Sequence, residues 1–252
     1  MPVCVVGMHR SGTSLVANLL SLCGVYLGRE TDLMPPSSDN EKGYWENFKF
    51  VQINEEILQA LGGSWDYPPA ASDGWHEEDR IAPLKLKAEN LLREFADYEL
   101  WGWKDPRNSI TLPFWVSLIP ELKIVLCLRH PFEVSQSLRQ RNYAANQNGL
   151  SLWWLYNQCV LDTSAPANRI VTHYESYFHT PRKELQRVLG FLNISASEDI
   201  LKRCDDVISR NLRHSRFRTE KLLEESVAPE IFDLYLELCE EADFIQPLGI
   251  TN

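Results

Sequence analysis

The stretch PVCVVGMHRSGTSLVANLLSLCG, residues 2–24, decides the fold class of this 252-residue chain. Residues 2–6 are a short run of apolar and β-branched residues, which is typical of a buried strand. Residues 12–23 carry an apolar stripe at helical spacing, and Gly24 marks the end of that helix. A strand, a glycine turn and a helix within 25 residues predict the opening unit of an α/β fold.

The same alternation of strand and helix patterns continues along the chain. Further strands are predicted at residues 99–103, 122–128 and 169–173. Helices are predicted at 47–61, 79–97, from Pro131 onward, 150–161, 181–192, 197–209 and 228–241, with loops at 28–46 and 62–76. Because the strand at 122–128 is almost continuously apolar, we expect helices on both of its faces. We therefore predict one domain over residues 1–252, a three-layer α/β/α structure with a central parallel sheet.

Composition excludes several broad classes of function. The 35 Asp and Glu residues outnumber the 25 Lys and Arg residues, and the net charge is −10. This charge disfavours a general nucleic-acid or membrane-surface binder, so an anion site must be a local basic pocket. No apolar run approaches the ~20 residues of a membrane helix, and no secretory signal is visible. The six cysteines form no CxxC pair, so we expect buried thiols in a cytoplasmic protein without zinc or disulfides.

Residues 7–14, Gly-Met-His-Arg-Ser-Gly-Thr-Ser, form a predicted anion-binding loop between the first strand and the first helix. The glycines at 7 and 12 have the spacing of the nucleotide P-loop, which predicts a topology like that of P-loop NTPases. Successive backbone N–H groups and the helix N-terminus favour a phosphate there. Arg10 can place a guanidinium beside the bound group, and Ser11, Gly12, Thr13 and Ser14 complete the loop.

Two features argue against a kinase that uses Mg-ATP. Thr13 stands where the P-loop has its lysine. The strand at 122–128 ends in Arg129 and His130, where a magnesium-binding carboxylate would be needed. An anionic donor that works without a metal ion fits these residues better.

This set of motifs resembles the superfamily of sulfotransferases that use 3′-phosphoadenosine-5′-phosphosulfate (PAPS). The family's first motif reads PKSGTT or PRSGTT, holds the 5′-phosphosulfate, and is matched by residues 9–14. Its second motif is an Arg at a strand end with a Ser eight residues later, which Arg129 and Ser137 match as ligands of the 3′-phosphate. Its third is a Tyr-Glu pair after a strand, and the resemblance places Tyr174 near the adenine. The segments GMHRSGTS, GYWEN and KDPR are most similar to sequences of the bacterial branch of this superfamily.

The chain also departs from the pattern of many cytosolic members. Those members carry Lys in the first motif, where this chain has Arg10, and a catalytic His in a Lys-Thr-His segment, where it has Lys104-Asp105-Pro106-Arg107. They use a late Arg-Lys-Gly stretch for the 3′-phosphate, which is missing here. The basic run over residues 210–218 lies at a similar place, and Arg213 is our candidate, although a solvated charged face fits the run equally well.

Sulfuryl transfer to a hydroxyl requires electrostatic stabilisation and a general base. Arg10 and Lys104 are the candidates for stabilising the transferring group, and a Lys in a Lys-Asp-Pro segment does so in the resembling tyrosylprotein branch. Glu46, in the GYWEN segment, is the first candidate base, because the resembling glycan and protein branches use a glutamate from this region. Glu30 and Asp105 are the alternative candidates for the base. A purely structural role is also open for two of these carboxylates: Glu46 can stabilise the N-terminus of a helix, and Asp105 can form an ion pair with Lys104.

The resemblance implies a sulfotransferase that moves a sulfuryl group from PAPS to a hydroxyl without a metal ion. Aromatic residues in the two loops can stack on a sugar or ring acceptor, and we expect a carbohydrate or a small metabolite; they are Trp45, Trp65, Tyr67 and Trp75. Ordinary loop packing is the better explanation for at least two of them. The alternatives are a P-loop kinase and a nucleotide-binding module without catalytic activity.

Overall fold

A computed structural model describes residues 1–36, 43–141, 149–208 and 227–245. Its sheet consists of β1 (Pro2–Val6), β2 (Trp101–Lys104), β3 (Lys123–Leu128) and β4 (Arg169–His173). The strands lie in the order β2-β1-β3-β4, and every pairing is parallel. From β1 the chain therefore passes to β2 on one side and then crosses back to β3 on the other side of β1. The carboxyl ends of β1 and β3 form a topological switch point, where ligands bind in open α/β sheets.

Helices cover both faces of the sheet. Val3 and Val5 of β1 pack against the helix that follows β1, Thr13–Leu22, and against the helices that follow β4. Cys4 and Val6 face the opposite layer. This alternation follows from the two-residue period of a strand. The sheet is thus buried on both sides, and the predicted three-layer α/β/α class with a parallel sheet is confirmed.

The helices of the described residues close to the predicted positions are these: α1 (Thr13–Leu22), α2 (Phe48–Ala60), α3 (Ala82–Arg93), α5 (Pro131–Arg141), α6 (Gly149–Thr163), α8 (Pro181–Phe191), α9 (Glu198–Val207) and α10 (Pro229–Glu241). Of these, α3 differs most from its expected span of 79–97. Pro83 lies in its first turn, because a proline deeper in the helix would clash with the carbonyl four residues earlier.

Two helices are not indicated by the sequence patterns: α4 (Asn108–Leu118) and the four-residue α7 (Ser176–His179). Helix α4 begins just after β2 and contains an internal proline, Pro113. Most of its side chains are buried, polar ones at its start included, so it shows no amphipathic period. Within the described ranges, no helix combines the length and the apolarity needed to cross a bilayer.

Candidate active site at the carboxyl ends of β1 and β3

The loop after β1 has the backbone shape of an anion-binding turn. Gly7 has φ 131°, and a Cβ there would lie 2.5 Å from the carbonyl oxygen of Cys127 on β3. Gly12, which precedes α1, has φ 91°, and Arg10 adopts a left-handed φ of 72°. The amide of Gly7 donates to Ser109 Oγ of α4 at 3.0 Å. The unpredicted helix therefore supports the start of the loop.

Two hydroxyl-bearing side chains of this loop point into the protein. Ser11 is 1% exposed, and its Oγ makes no hydrogen bond to any described residue. Thr13 is buried as well. A buried hydroxyl without a partner carries a desolvation cost that a bound anion would remove. The loop therefore fits the phosphate-containing group that its motif predicts. Ser14, in contrast, donates its hydroxyl to the carbonyl of Tyr44 at 3.2 Å.

Arg129, at the end of β3, lies directly against the loop. Its Nη1 donates to the Arg10 carbonyl at 3.0 Å, and its Nε donates to the Glu133 carboxylate at 2.8 Å. The side chain is 9% exposed, and Nη2 makes no hydrogen bond to a described residue. Arg129 is therefore held rigidly with donor capacity to spare, as an arginine that receives a phosphate should be.

Ser137 and Tyr174 complete this constellation. Arg10 Nε donates to Ser137 Oγ at 2.9 Å, which joins the phosphate loop to helix α5. The Arg129 guanidinium lies 4.6 Å from the centre of the Tyr174 ring, within the range of a cation–π contact. The same ring packs on Gly12 so closely that a Cβ there would approach it to 2.3 Å. The three motifs of the sequence analysis therefore meet at one place in the fold.

Glu46 and Lys104 form a buried ion pair beside this loop. Lys104 Nζ lies 2.5 Å from Glu46 Oε1, and the two side chains are 2% and 8% exposed. Lys104 is the last residue of β2, at the same sheet edge as the phosphate loop. Asn47, which caps α2 by accepting from the Lys49 amide at 3.1 Å, fixes the position of Glu46 just before the helix. The first candidate base and the candidate lysine are thus in direct contact.

A polar network centred on the buried Asp105 carboxylate supports the KDPR segment. Asp105 is 0% exposed; its Oδ2 accepts from Asn54 at 2.8 Å, and its Oδ1 accepts from the Arg107 amide at 3.0 Å and from Arg107 Nη1 at 2.9 Å. Arg107 Nη2 donates to Glu55 at 3.0 Å. Burial opposes the charge of Arg107, but the carboxylates of Asp105, Glu46 and Glu55 outweigh it and raise the pKa of Arg107.

The remaining candidate residues do not all lie beside the loop at residues 7–14. Glu30 is exposed in a short 3₁₀ turn, Glu30–Asp32. Trp65 packs on His9 of the phosphate loop, with 4.6 Å between ring centres, whereas Tyr67 is 75% exposed and Trp75 belongs to the core. Arg213 lies outside the described residues. Among residues that the structure describes, no group of three or more His, Cys, Asp or Glu could hold a metal ion.

Sequence reasoning missed the residues that hold the site together. No local pattern points to Asn54 or Ser109, and the KDPR segment by itself gives Arg107 no role. The partners Asp105, Gly7 and Glu55 lie 51, 102 and 52 residues away from Asn54, Ser109 and Arg107, respectively. The one local signal was the spacing of four between Arg129 and Glu133, which favours a helical ion pair.

The Sulfotransferase family model matches residues 2–198 of this chain. The match covers most of the chain and every described motif around the site. The chain therefore belongs to the sulfotransferase family, and the resemblance stated from its motifs is confirmed.

A curated relative is the Caenorhabditis briggsae protein named “Putative protein-tyrosine sulfotransferase”, which is 24% identical over 211 residues. The alignment covers 77% of this chain and 66% of the relative, so the chain spans just under two thirds of that protein's length.

Solved structures with the same fold include two bacterial sulfotransferases. Sulfotransferase STF9 from Mycobacterium avium superposes with a TM-score of 0.59 at 13% identity, over 97% of this chain and 77% of that chain. The sulfotransferase domain of the Synechococcus PCC 7002 olefin synthase gives 0.55 at 19% identity, over 98% and 96%. At such identities the likeness supports the fold.

Proposed function

We propose that this protein is a PAPS-dependent sulfotransferase that acts on a hydroxyl group. The observation that carries the proposal is the contact between the two phosphate-binding motifs. Arg10 of the first motif bonds Ser137 of the second, and Arg129 bonds the Arg10 carbonyl. One nucleotide with phosphates on the 5′ and 3′ positions of its ribose can therefore be held by both motifs at once.

The loop residues Arg10 to Ser14 would hold the 5′ end of the donor, and Arg129 and Ser137 would hold its 3′-phosphate. Tyr174, stacked between Arg129 and Gly12, would contact the base. When bound, PAPS supplies an activated sulfuryl group, whose transfer to a hydroxyl leaves adenosine 3′,5′-bisphosphate. The orphaned Ser11 hydroxyl and the spare Arg129 nitrogen are consistent with such an anion.

Glu46 would accept the proton of the acceptor hydroxyl. It is buried, as a base protected from water should be, and Lys104 holds it in one orientation. Of the alternatives, Glu30 is exposed on a surface turn and Asp105 has both oxygens engaged by Asn54 and Arg107. The contacts therefore favour Glu46. Lys104 carries a positive charge beside the base, where it can stabilise the negative charge of the transferring group.

For the acceptor we propose a carbohydrate or a small metabolite. Trp65, partly buried and packed at a tilt against His9 of the loop at residues 7–14, offers an aromatic face close to the site. The name of the Caenorhabditis briggsae relative makes a tyrosine side chain the acceptor class to compare with these.

The test is ligand-induced thermal stabilisation in a buffer that contains EDTA. A ligand that binds the native state raises the melting temperature in proportion to its affinity. We expect adenosine 3′,5′-bisphosphate to stabilise the protein and AMP to do so far less, because AMP lacks the 3′-phosphate that Arg129 and Ser137 would hold. Stabilisation by ATP only in the presence of magnesium would favour a kinase and contradict the proposal.

Transfer itself is tested with labelled PAPS and a panel of glycan, phenolic and peptide acceptors. We expect label to appear on a hydroxyl of at least one glycan or small molecule. Tight binding of the bisphosphate with no transfer to any acceptor would identify a nucleotide-binding module without catalytic activity.

A further inference from the structure

Glu46 is flanked by two cations rather than one. Its Oε1 contacts Lys104 Nζ at 2.5 Å, and its Oε2 lies 4.0 Å from Nη1 of Arg107. Each oxygen of this carboxylate, which is 8% exposed, lies within ion-pair distance of a different cation, but Oε2 accepts no hydrogen bond from a described residue. Lys104 comes from the end of β2, whereas Arg107 comes from the turn that leads into α4.

Arg107 is fixed without any help from Glu46. Asp105 accepts from both its backbone amide and its Nη1, and Glu55 of α2 accepts from its Nη2. Asp105 is itself held by Asn54, so the anchor extends into the protein interior. The guanidinium is 12% exposed. A cation held by two other carboxylates keeps its place when its weaker contact, to Glu46, changes.

Lys104 does not have this independence. Glu46 is the one carboxylate within ion-pair distance of Lys104 among the described residues. If Lys104 turns toward the transferring sulfuryl group, as the proposed function requires, Glu46 loses its shortest contact at the moment when it must accept a proton. Leaving a buried carboxylate without a compensating charge is costly. Arg107 is the group that can hold the Glu46 carboxylate in place during that movement.

We infer that Arg107 is a positioning residue for this reaction: it holds the Glu46 carboxylate through Oε2 while Lys104 engages the donor. This inference rests on the proposed function for its catalytic meaning. The contact between Arg107 and Glu46 does not depend on it, and the two parts can be tested separately.

The contact is tested by a double-mutant cycle on urea unfolding, with Arg107→Gln, Glu46→Gln and the double variant. We expect the single losses of stability not to add, because each variant removes the same contact. The contribution of Asp105 and Glu55 to the stability cancels in such a cycle. Losses that add within error would overturn the inference.

The catalytic part is tested by steady-state kinetics with the best acceptor. We expect Arg107→Gln to lower kcat by about 10- to 100-fold, as misplacement of a reacting group does, while KM for PAPS and stabilisation by adenosine 3′,5′-bisphosphate stay unchanged. Arg107→Lys, which retains the charge, should recover most of the loss. Glu89→Gln, an exposed carboxylate of α3 away from the site, is the control and should leave kcat unchanged.

The decisive comparison repeats Arg107→Gln in the Glu46→Gln background. If Arg107 acts through Glu46, the second substitution causes no further loss of kcat. An equal loss in both backgrounds would mean that Arg107 acts in another way and would overturn the inference. If the wild-type protein transfers label to no acceptor, the proposed function fails, and the unfolding cycle alone decides whether Arg107 holds Glu46.

Discussion

At the scale of single residues, Arg129 links the parts of the proposed nucleotide site. It contacts Glu133, the carbonyl of Arg10 and the ring of Tyr174, and the indole of Trp153 donates to its carbonyl at 2.9 Å. These contacts come from four different elements or loops. The side chain is therefore ordered before any ligand arrives, which lowers the entropy cost of binding a phosphate.

Substitution of Arg129 should weaken nucleotide binding selectively. We expect Arg129→Ala to weaken binding of adenosine 3′,5′-bisphosphate by about 10- to 100-fold, because a charge-assisted hydrogen bond contributes roughly 1.5–3 kcal/mol. Binding of AMP should change little. Isothermal titration calorimetry measures both affinities. Arg139→Ala, an exposed arginine of the same helix region, is the control and should bind normally. Equal bisphosphate affinity in Arg129→Ala would contradict the assignment.

Substitution of Glu46 should separate binding from turnover. Glu46→Gln keeps the size of the side chain and an oxygen for Lys104, but the amide cannot accept a proton as a base. We expect kcat to fall by about 10²–10⁴-fold, with unchanged stabilisation by the bisphosphate. The same kinetic assay on Glu30→Gln provides the comparison. Unchanged turnover in Glu46→Gln would transfer the role to Glu30 or Asp105.

At the scale of elements, α2 and α4 are joined by one amide side chain. Asn54, which is 0% exposed, donates to Asp105 at 2.8 Å and to Asn108 at 2.7 Å. Its Oδ1 accepts from Thr111 at 2.7 Å and from the indole of Trp115 at 2.8 Å. If Asn54 were removed, Asp105 Oδ2, Asn108 Oδ1 and the indole of Trp115 would be left buried without a partner among the described residues, whereas Thr111 would keep its bond to the Arg107 carbonyl at 3.3 Å. Leaving buried groups unpaired is the most expensive way to lose hydrogen bonds.

Asn54→Ala should therefore destabilise the whole protein. We expect the free energy of unfolding to fall by about 3 kcal/mol or more, since each unsatisfied buried partner costs roughly 1–3 kcal/mol. Urea unfolding followed by circular dichroism measures the change. Gln52→Ala, on the exposed side of the same helix, should cost less than about 0.5 kcal/mol. Similar losses for the two variants would show that the network contributes little.

The elements differ in how well their sequences predicted them. The strands and the amphipathic helices such as α2 were found, because one apolar face against one polar face leaves a clear period. Helix α4 was not, because its first turns bury Asn108, Ser109 and Thr111 and it contains Pro113. Polar residues and a proline indicate a loop when only the sequence is read. Here Asn54 bonds Asn108 and Thr111, and the Gly7 amide donates to Ser109, so these polar groups can be buried.

At the scale of the whole molecule, the parallel sheet brings distant motifs together. The phosphate loop follows β1, Lys104 ends β2, and Arg129 follows β3, so all three lie at the same edge of the sheet. In the order β2-β1-β3-β4, β1 is the direct neighbour of both β2 and β3. This topology explains why motifs more than a hundred residues apart form one site.

A buried histidine should make the stability of the molecule depend on pH. His173, at the end of β4, is 1% exposed; burial first, then the charges of His130, Arg129 and His179, lower its pKa well below 6.5. The folded protein therefore keeps this ring neutral, with Nδ1 accepting from the Glu175 amide at 3.2 Å. In the unfolded chain the ring takes up a proton below about pH 6.5.

Because the unfolded state binds the extra proton, stability should fall as the pH is lowered from about 6.5 toward the folded-state pKa. The loss from this residue is at most about 1.4 kcal/mol per pH unit. Urea unfolding at pH 7, 6 and 5 measures the slope. His173→Gln should flatten it. A slope unchanged in His173→Gln would show that other groups dominate.

The sequence by itself determined the fold class and the family, and it predicted the anion-binding role of the loop at residues 7–14. These follow from local order: the period of apolar residues, two glycines with fixed spacing, and a basic residue after a strand. Only the tertiary structure decided which groups touch. It paired Glu46 with Lys104, placed Arg107 behind the same carboxylate and put Arg10 on Ser137. Such contacts join residues that the chain separates widely, and their partners are selected by strand order and packing, which no local pattern encodes.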